Sequence, residues 1–199
     1  PDQDAGSYAA IQEMRLLQSL GCKVTFLPLN FAHLGGYTDT LQRLGVECIH
    51  APFASSAKEF LASRGGEFDL VYITRYTAAR RVLKDVRRHA PQARVLFCTA
   101  DLHFLRMMRG AIVENDPHEI EQAKAVREEE LRIMRHVDVV LSYSTVEHAI
   151  IRSHNSDRTP VVVAPWVVDI IDNTPGFAQR KDIAFLGGFG HPPNLQAVR

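Results

Sequence analysis

With 199 residues, 46% of them apolar, the chain is long enough for one substantial core, since single domains run to about 100–200 residues. Lysine plus arginine and aspartate plus glutamate each total 23, so the formal charge is zero and no overall pull toward nucleic acid exists. No window approaches the roughly 18–20 consecutive apolar residues of a membrane span, and no charged-then-apolar signal segment opens the sequence.

The opening segment, PDQDAGS, reads as a loop running into a helix over Ser7 to Leu20. Ala10, Met14, Leu17 and Leu20 recur there at spacings of three and four, and Gly21 follows as a stop. Short runs rich in β-branched residues come next, with helical patterns between them: Val24 to Leu29, Val46 to Ile49, Leu70 to Ile73, Val95 to Thr99, Val139 to Leu141, Val161 to Ala164 and Ile183 to Leu186. Most are continuously apolar, which is how strands buried on both faces read. The expected fold class is therefore α/β, a Rossmann-like, mainly parallel sheet with helices on both faces. A second helix is expected over Thr77 to His89, with Ala79, Val82, Leu83 and Val86 on one face and Pro91 beyond its end. The longest, His118 to His136, is strongly charged and carries a narrow stripe of Ile120, Ala123, Val126, Leu131 and Met134, so it is expected to lie half exposed. The polar, proline-bearing stretch 169–181 reads as a linker, dividing a domain over 1–168 from the beginning of a second over 182–199. Cys22, Cys48 and Cys98 lie in or beside apolar runs, far apart and odd in number, and read as reduced core thiols of a cytoplasmic protein.

Four places carry residues suited to chemistry. In the opening loop Asp2, Asp4, Gly6 and Ser7 crowd a helix start; Asp4 or Ser7 as a cap is a sufficient structural reason, and Gly6 also suits a backbone approached by a phosphate or an acceptor hydroxyl. In the middle, TADLHFLR follows the Val95 strand directly. Ligands of open parallel sheets bind at the carboxyl ends of strands, so Asp101, His103 and Arg106 are expected in a loop lining that crevice. A histidine there can hydrogen-bond a sugar hydroxyl and an arginine can hold an anion, whereas a turn-capping aspartate and a packed histidine is the structural alternative. In the tail Gly187, Gly188 and Gly190 precede Pro192, Pro193 and Asn194, a glycine turn before a helix start that suits a phosphate, or else a tight turn with no ligand. The third glycine of a dinucleotide fingerprint is missing. Finally, residues 75–94 carry a surplus of six positive charges, from Arg75, Arg80, Arg81, Lys84, Arg87, Arg88 and Arg94 against Asp85. Such a basic helix is either a solvated face or a peripheral contact with anionic lipid.

Other motifs fall away. A Glu-x7-Glu spacing occurs at Glu121 and Glu129 and again at Glu59 and Glu67, which makes it too cheap to assign a role to either pair. The nine histidines lack metal-ligand spacing, so no metal is expected, and neither a Gly-x-Ser-x-Gly elbow nor a phosphate-binding P-loop is present.

Taken together, PDQDAGS, GCKVTFLPLN, LQRLGVE, TADLHFLR, the strand ending in LSYST and FLGGFGHPPNLQAV resemble the family 4 (group 1) glycosyltransferases of GT-B fold, in order and spacing, over nearly the whole chain. The resemblance implies two Rossmann-like halves facing a cleft, this chain being the acceptor-side half without its first strand plus the beginning of the donor half. It implies transfer of a hexosyl unit from a nucleotide sugar to a glycan or lipid-linked acceptor, with retention and without a metal or other cofactor. His103 would face the reacting sugar. Gly6, Ser7, Arg75, Asp101 and Arg106 would contact substrate, and Gly187, Gly188 and Asn194 would approach the donor phosphates. Location would be cytoplasmic, or peripheral at the inner face of a membrane through Arg80, Arg81, Lys84, Arg87 and Arg88. The chain by itself is expected to lack a complete site. A noncatalytic sugar- or nucleotide-binding module on the same scaffold and a dinucleotide-dependent oxidoreductase are the alternatives; the latter would need an acidic residue ending a second strand after the glycine turn.

Overall fold

Runs such as LVYIT and RVLFC have no polar face to offer water, and the chain satisfies them by lining strands up side by side and covering them with helices. The computed structural model describes residues 5–155, 159–172, 174–185, 187–190 and 192–198. Among these, a two-stranded parallel sheet pairs β1 (Thr25–Phe26) with β2 (Glu47–Cys48). A four-stranded sheet, all parallel, runs in the order β3 (Leu70–Thr74), β4 (Arg94–Cys98), β5 (Val139–Ser142), β6 (Val161–Val163). The helices are α1 (Ala5–Ser19), α2 (Gly36–Arg43), α3 (Ala57–Arg64), α4 (Tyr76–His89), α5 (His103–Glu114), α6 (Pro117–Met134), α7 (Thr145–His154) and α8 (Pro192–Ala197). Parallel strands flanked by helices make this the α/β, Rossmann-like fold expected from the alternation in the sequence.

The chain falls into two compact units, one of Gly21–Trp166 and one of Pro1–Leu20 with Val167–Arg199. In the first, the core joins Ile73, Val95, Phe97 and Val140 of the strands to Val82, Leu83 and Val86 of α4, Phe104 of α5 and Leu131, Ile133 and Met134 of α6. Gly65 marks one tight approach. A Cβ there would stand 2.3 Å from the carbonyl oxygen of His89, so the turn after α3 can lie against the end of α4 only because no side chain intervenes. Arg87 of α4 is fixed from the other side, donating to the His136 carbonyl at 3.0 and 2.9 Å and pairing with Asp138 at 2.9 Å.

Several expectations need correction. Gly6 and Ser7 lie inside α1 rather than in a loop ahead of it, because the helix already begins at Ala5; Asp2 and Asp4 lie outside the described residues. The buried face of α1 is Ala9 and Gln12, with Gln12 donating to Asp169 at 2.9 Å, while Leu20 is exposed. Helix α6 does lie half exposed, as expected, with Ala123, Glu130, Leu131, Ile133 and Met134 forming its buried face. Cys48 and Cys98 are buried, but Cys22 is exposed, since it follows the left-handed Gly21 (φ +86°) where the chain turns out of α1. Residues 183–185 form no strand, and Ile183 stands fully in solvent; an apolar run becomes a strand only beside another strand, and the described residues put none there. Leu186 lies outside the described residues.

Candidate functional site

The loops leaving β3 and β4 are where this sheet departs most from relaxed backbone. Arg75 (φ +72°) and Ala100 (φ +59°) both occupy the left-handed region although neither is glycine. Such conformations cost of order 1–3 kcal/mol for a side-chain-bearing residue and are held only where neighbouring structure over-determines them. Here the Arg75 N–H donates to the Cys98 carbonyl at 2.9 Å and the Thr99 N–H to the Leu141 carbonyl at 3.0 Å, so each loop is tied to the next strand. The two turns open onto a cleft of about 140 Å³ lined by Arg75, Tyr76, Thr77, Thr99, Asp101, His103 and Arg106. It lies at the carboxyl ends of parallel strands, the usual ligand position in such sheets. Its volume is below the ~300–1,000 Å³ of pockets for drug-sized ligands, and suits a single ring or anionic group.

His103 is not in a loop, as its neighbours in TADLHFLR suggested; it is the first residue of α5. Phe104 and Ala111 give that segment an inward face, and helix formation begins as soon as the chain clears Leu102. Within the cleft the Arg106 guanidinium donates through Nε to Asp101 Oδ2 at 2.7 Å and through Nη2 to His103 Nδ1 at 2.6 Å. A guanidinium has no lone pair to accept with, so Nδ1 is the acceptor and the imidazole proton sits on Nε2. Burial, reinforced by the cations of Arg106 and Arg75, holds the His103 pKa below its ordinary value against the opposing pull of Asp101. His103 is thus a neutral ring with a fixed Nε2–H donor. Its face lies against Tyr76, with ring centroids 5.3 Å apart. Tyr76 in turn donates to Glu129 at 3.3 Å, where Arg80 also reaches. That pairing employs Glu129 structurally, as an ion pair with Lys124 does Glu121 and ion pairs with Arg64 do Glu67.

The start of α5 rests on a residue the sequence reading passed over. Leu102 at the N-cap has no side-chain acceptor, yet the first N–H groups of the helix are satisfied by carboxylates from two other helices. Glu130 of α6, 0% exposed, accepts from the His103 N–H at 3.2 Å and the Phe104 N–H at 2.8 Å. Glu147 of α7 accepts from the Leu102 N–H at 3.2 Å. Burial raises the pKa of both carboxyls, Glu130 to about 7, with Asp101 pushing each further up and the N–H bonds opposing. The signal for Glu130 was present: it lies seven residues after Ala123 and four before Met134, on the apolar face of α6.

The other expected site residues lie in the second compact unit, with Gly6 and Ser7 in α1 and Gly187, Gly188 and Asn194 in the tail. The tail group is brought together: Asn194 Nδ2 donates to the Gly188 carbonyl at 2.9 Å, and a Cβ on Gly187 would meet the Asn194 side chain at 2.8 Å. One amide donor of Asn194 is therefore spent closing the glycine turn. Helix α8 behind it is six residues long. Among the described residues no cluster of three or more His, Cys, Asp or Glu side chains could hold a metal ion.

No family model matches the chain, and no curated protein matches it. The functional reading therefore rests on the cleft and on the motifs.

Proposed function

We propose that the protein containing this chain is a hexosyl glycosyltransferase of the GT-B, family 4 type, moving a sugar with retention and without a metal from a nucleotide sugar to a glycan or lipid-linked acceptor. The observation that carries this reading is the neutral His103, its Nε2–H held as a donor by Arg106 at the mouth of parallel strands. Departure of the nucleotide leaves positive charge on the sugar ring and negative charge on the phosphate. A neutral donor at the ring hydroxyls orients the sugar without adding a repelling cation, and Arg75, exposed at the same rim, is placed to attract the anionic part. A cleft of about 140 Å³ suits the hexose, leaving the nucleotide to other parts of the protein.

No described helix is long and apolar enough to cross a membrane. The reading expects a cytoplasmic protein, in peripheral contact with the inner face of a membrane. Of the five basic residues first considered for that contact, Arg80 and Arg87 are committed to Glu129 and Asp138, which leaves Arg81, Lys84 and Arg88 on the outer face of α4.

The test is release of nucleoside diphosphate by the purified protein from a panel of nucleotide-linked hexoses. Turnover of at least one donor is expected, with the product keeping the donor's anomeric configuration. Binding without turnover would favour the noncatalytic module, and the absence of both binding and turnover would overturn the proposal.

A further inference from the structure

Outside the residues that line the cleft, the group most closely tied to it is a buried carboxylate that no substrate can touch. Glu130 has no exposed surface, sits on the apolar face of α6 among Leu131, Ile133 and Met134, and yet spends its two oxygens on two consecutive N–H groups of a different helix. An ionisable side chain in such surroundings is costly to bury, and a packed apolar residue would fill the same space. A shallow structural role does not explain where its bonds go. Both end on the residue that presents the imidazole and on the one after it, at the point where α5 lacks a cap of its own.

We infer that Glu130 is a positioning residue for His103, fixing the first turn of α5 so that the imidazole meets Arg106 and Tyr76 and lines the cleft in one orientation. The inference rests on the proposed role of the cleft, and deepens it. The first N–H groups of a helix carry the positive end of its dipole, so above about pH 7, where Glu130 is ionised, its carboxylate binds them more strongly than a neutral acceptor does. Because α5 and α6 pack along their lengths, the position of Glu130 is set by the core and not by the loop it supports. Glu147 performs the same service one residue earlier, at the Leu102 N–H. The turn is thus clamped by two helices before any ligand arrives. Preorganisation of this kind matters for a donor that must be aimed within about 0.5 Å.

The test is Glu130→Gln, which keeps the shape but leaves one N–H facing an amide group that cannot accept. Two readouts are taken. In NMR spectra of the chain, the backbone N–H protons of His103 and Phe104 are expected to move upfield, and the ring signals of His103 to shift with them, while amides of β3 stay in place. In the transferase assay, kcat is expected to fall by about tenfold while the donor KM changes by less than about twofold, since the loss is one of aim and not of affinity. Should Glu130→Gln fail to fold, Glu130→Asp withdraws the carboxylate by one methylene and carries the same expectations. Unmoved ring signals in a folded variant, or a moved ring with unchanged kcat, would overturn the inference. If the protein transfers no sugar at all, the functional proposal fails, and the His103 ring signals alone then decide the role of Glu130.

Discussion

Arg106 stands between two partners that pull on it from the same cleft, with its Nη2 2.6 Å from His103 Nδ1 and its Nε 2.7 Å from Asp101 Oδ2. The aspartate holds the guanidinium and the guanidinium fixes the tautomer of the imidazole, so three residues within six positions of sequence act as a single unit. Exposed ion pairs of this kind add little to stability, typically about 0–1 kcal/mol, and the consequence of the arrangement is therefore electrostatic rather than structural.

Replacing Arg106 by Met removes a cation and the donor to Nδ1, and frees the Asp101 carboxylate to act on the ring. Both changes favour protonation, so the His103 pKa should rise toward or above its ordinary value. Following the ring protons of His103 by NMR across pH 5–8 checks the sign, and an unchanged or lower midpoint would contradict the assignment of the tautomer.

Glu130 gives the fold a pH dependence of defined sign. Its carboxyl is raised from the ordinary 4.5 to about 7, so the folded state binds this proton more tightly than the unfolded chain does. The associated stability, about 3 kcal/mol, is fully present below pH 4.5 and is lost as pH rises through 7. Comparing urea unfolding of wild type and Glu130→Gln at several pH values isolates it. The advantage of wild type over the variant should shrink from pH 5 to about pH 7 and level off above it, and a difference independent of pH would show that Glu130 does not titrate in this window.

Gly65→Ala should destabilise the first compact unit by about 1–3 kcal/mol, the usual range for a group forced into occupied space. The backbone conformation there is an ordinary one, and the cost arises entirely from a Cβ set 2.3 Å from the His89 carbonyl oxygen. A urea midpoint that falls with an unchanged slope is expected; a midpoint that rises, as at unhindered glycines, would mean the close approach is not maintained.

The basic face of α4 yields a separate test. Reversing Arg81, Lys84 and Arg88 to Glu together should leave the melting temperature nearly unchanged, because all three are exposed. Co-sedimentation with vesicles of anionic lipid should weaken by more than about tenfold, given roughly 1 kcal/mol per basic residue near such a surface. Equal sedimentation of the two proteins would assign the stripe to solvent. Arg87→Ala should do the opposite, lowering stability through loss of its bonds to His136 and Asp138 with no specific effect on vesicles.

The four-stranded sheet was legible because Leu70 to Ile73, Val95 to Thr99, Val139 to Leu141 and Val161 to Ala164 are apolar on both faces, a pattern that only strands between helix layers need. Helix α4 was legible for the complementary reason, a clean stripe of Ala79, Val82, Leu83 and Val86. Helices α2, α3 and α7 run only eight to ten residues and give no comparable period, and α5 was hidden because Asp101 and His103 at its entrance look like loop residues. The same polar residues made the neighbourhood of the cleft legible: Arg75, Asp101, His103 and Arg106 were each singled out and do line one cavity. Tyr76, Thr77 and Thr99 were not, since nothing local separates a tyrosine or threonine beside a strand from its many packed counterparts. Glu130 was missed for a different reason. Its spacing from Ala123 and Met134 put it on the buried face, but three consecutive glutamates, Glu128 to Glu130, read as a solvated run unless the helical phase is followed residue by residue.

The proposed function requires that His103 act on the sugar and not merely pack against Tyr76. The most direct measurement is His103→Ala in the purified full-length protein, with sugar turnover and thermal stability recorded on the same preparation. A hydrogen bond formed to the transition state contributes on the order of 2–4 kcal/mol, so kcat should fall by roughly 30- to 1000-fold while the melting temperature stays within a few degrees. Full turnover per folded molecule, accompanied by a lowered melting temperature, would contradict the account and make His103 a structural residue of the α5 entrance.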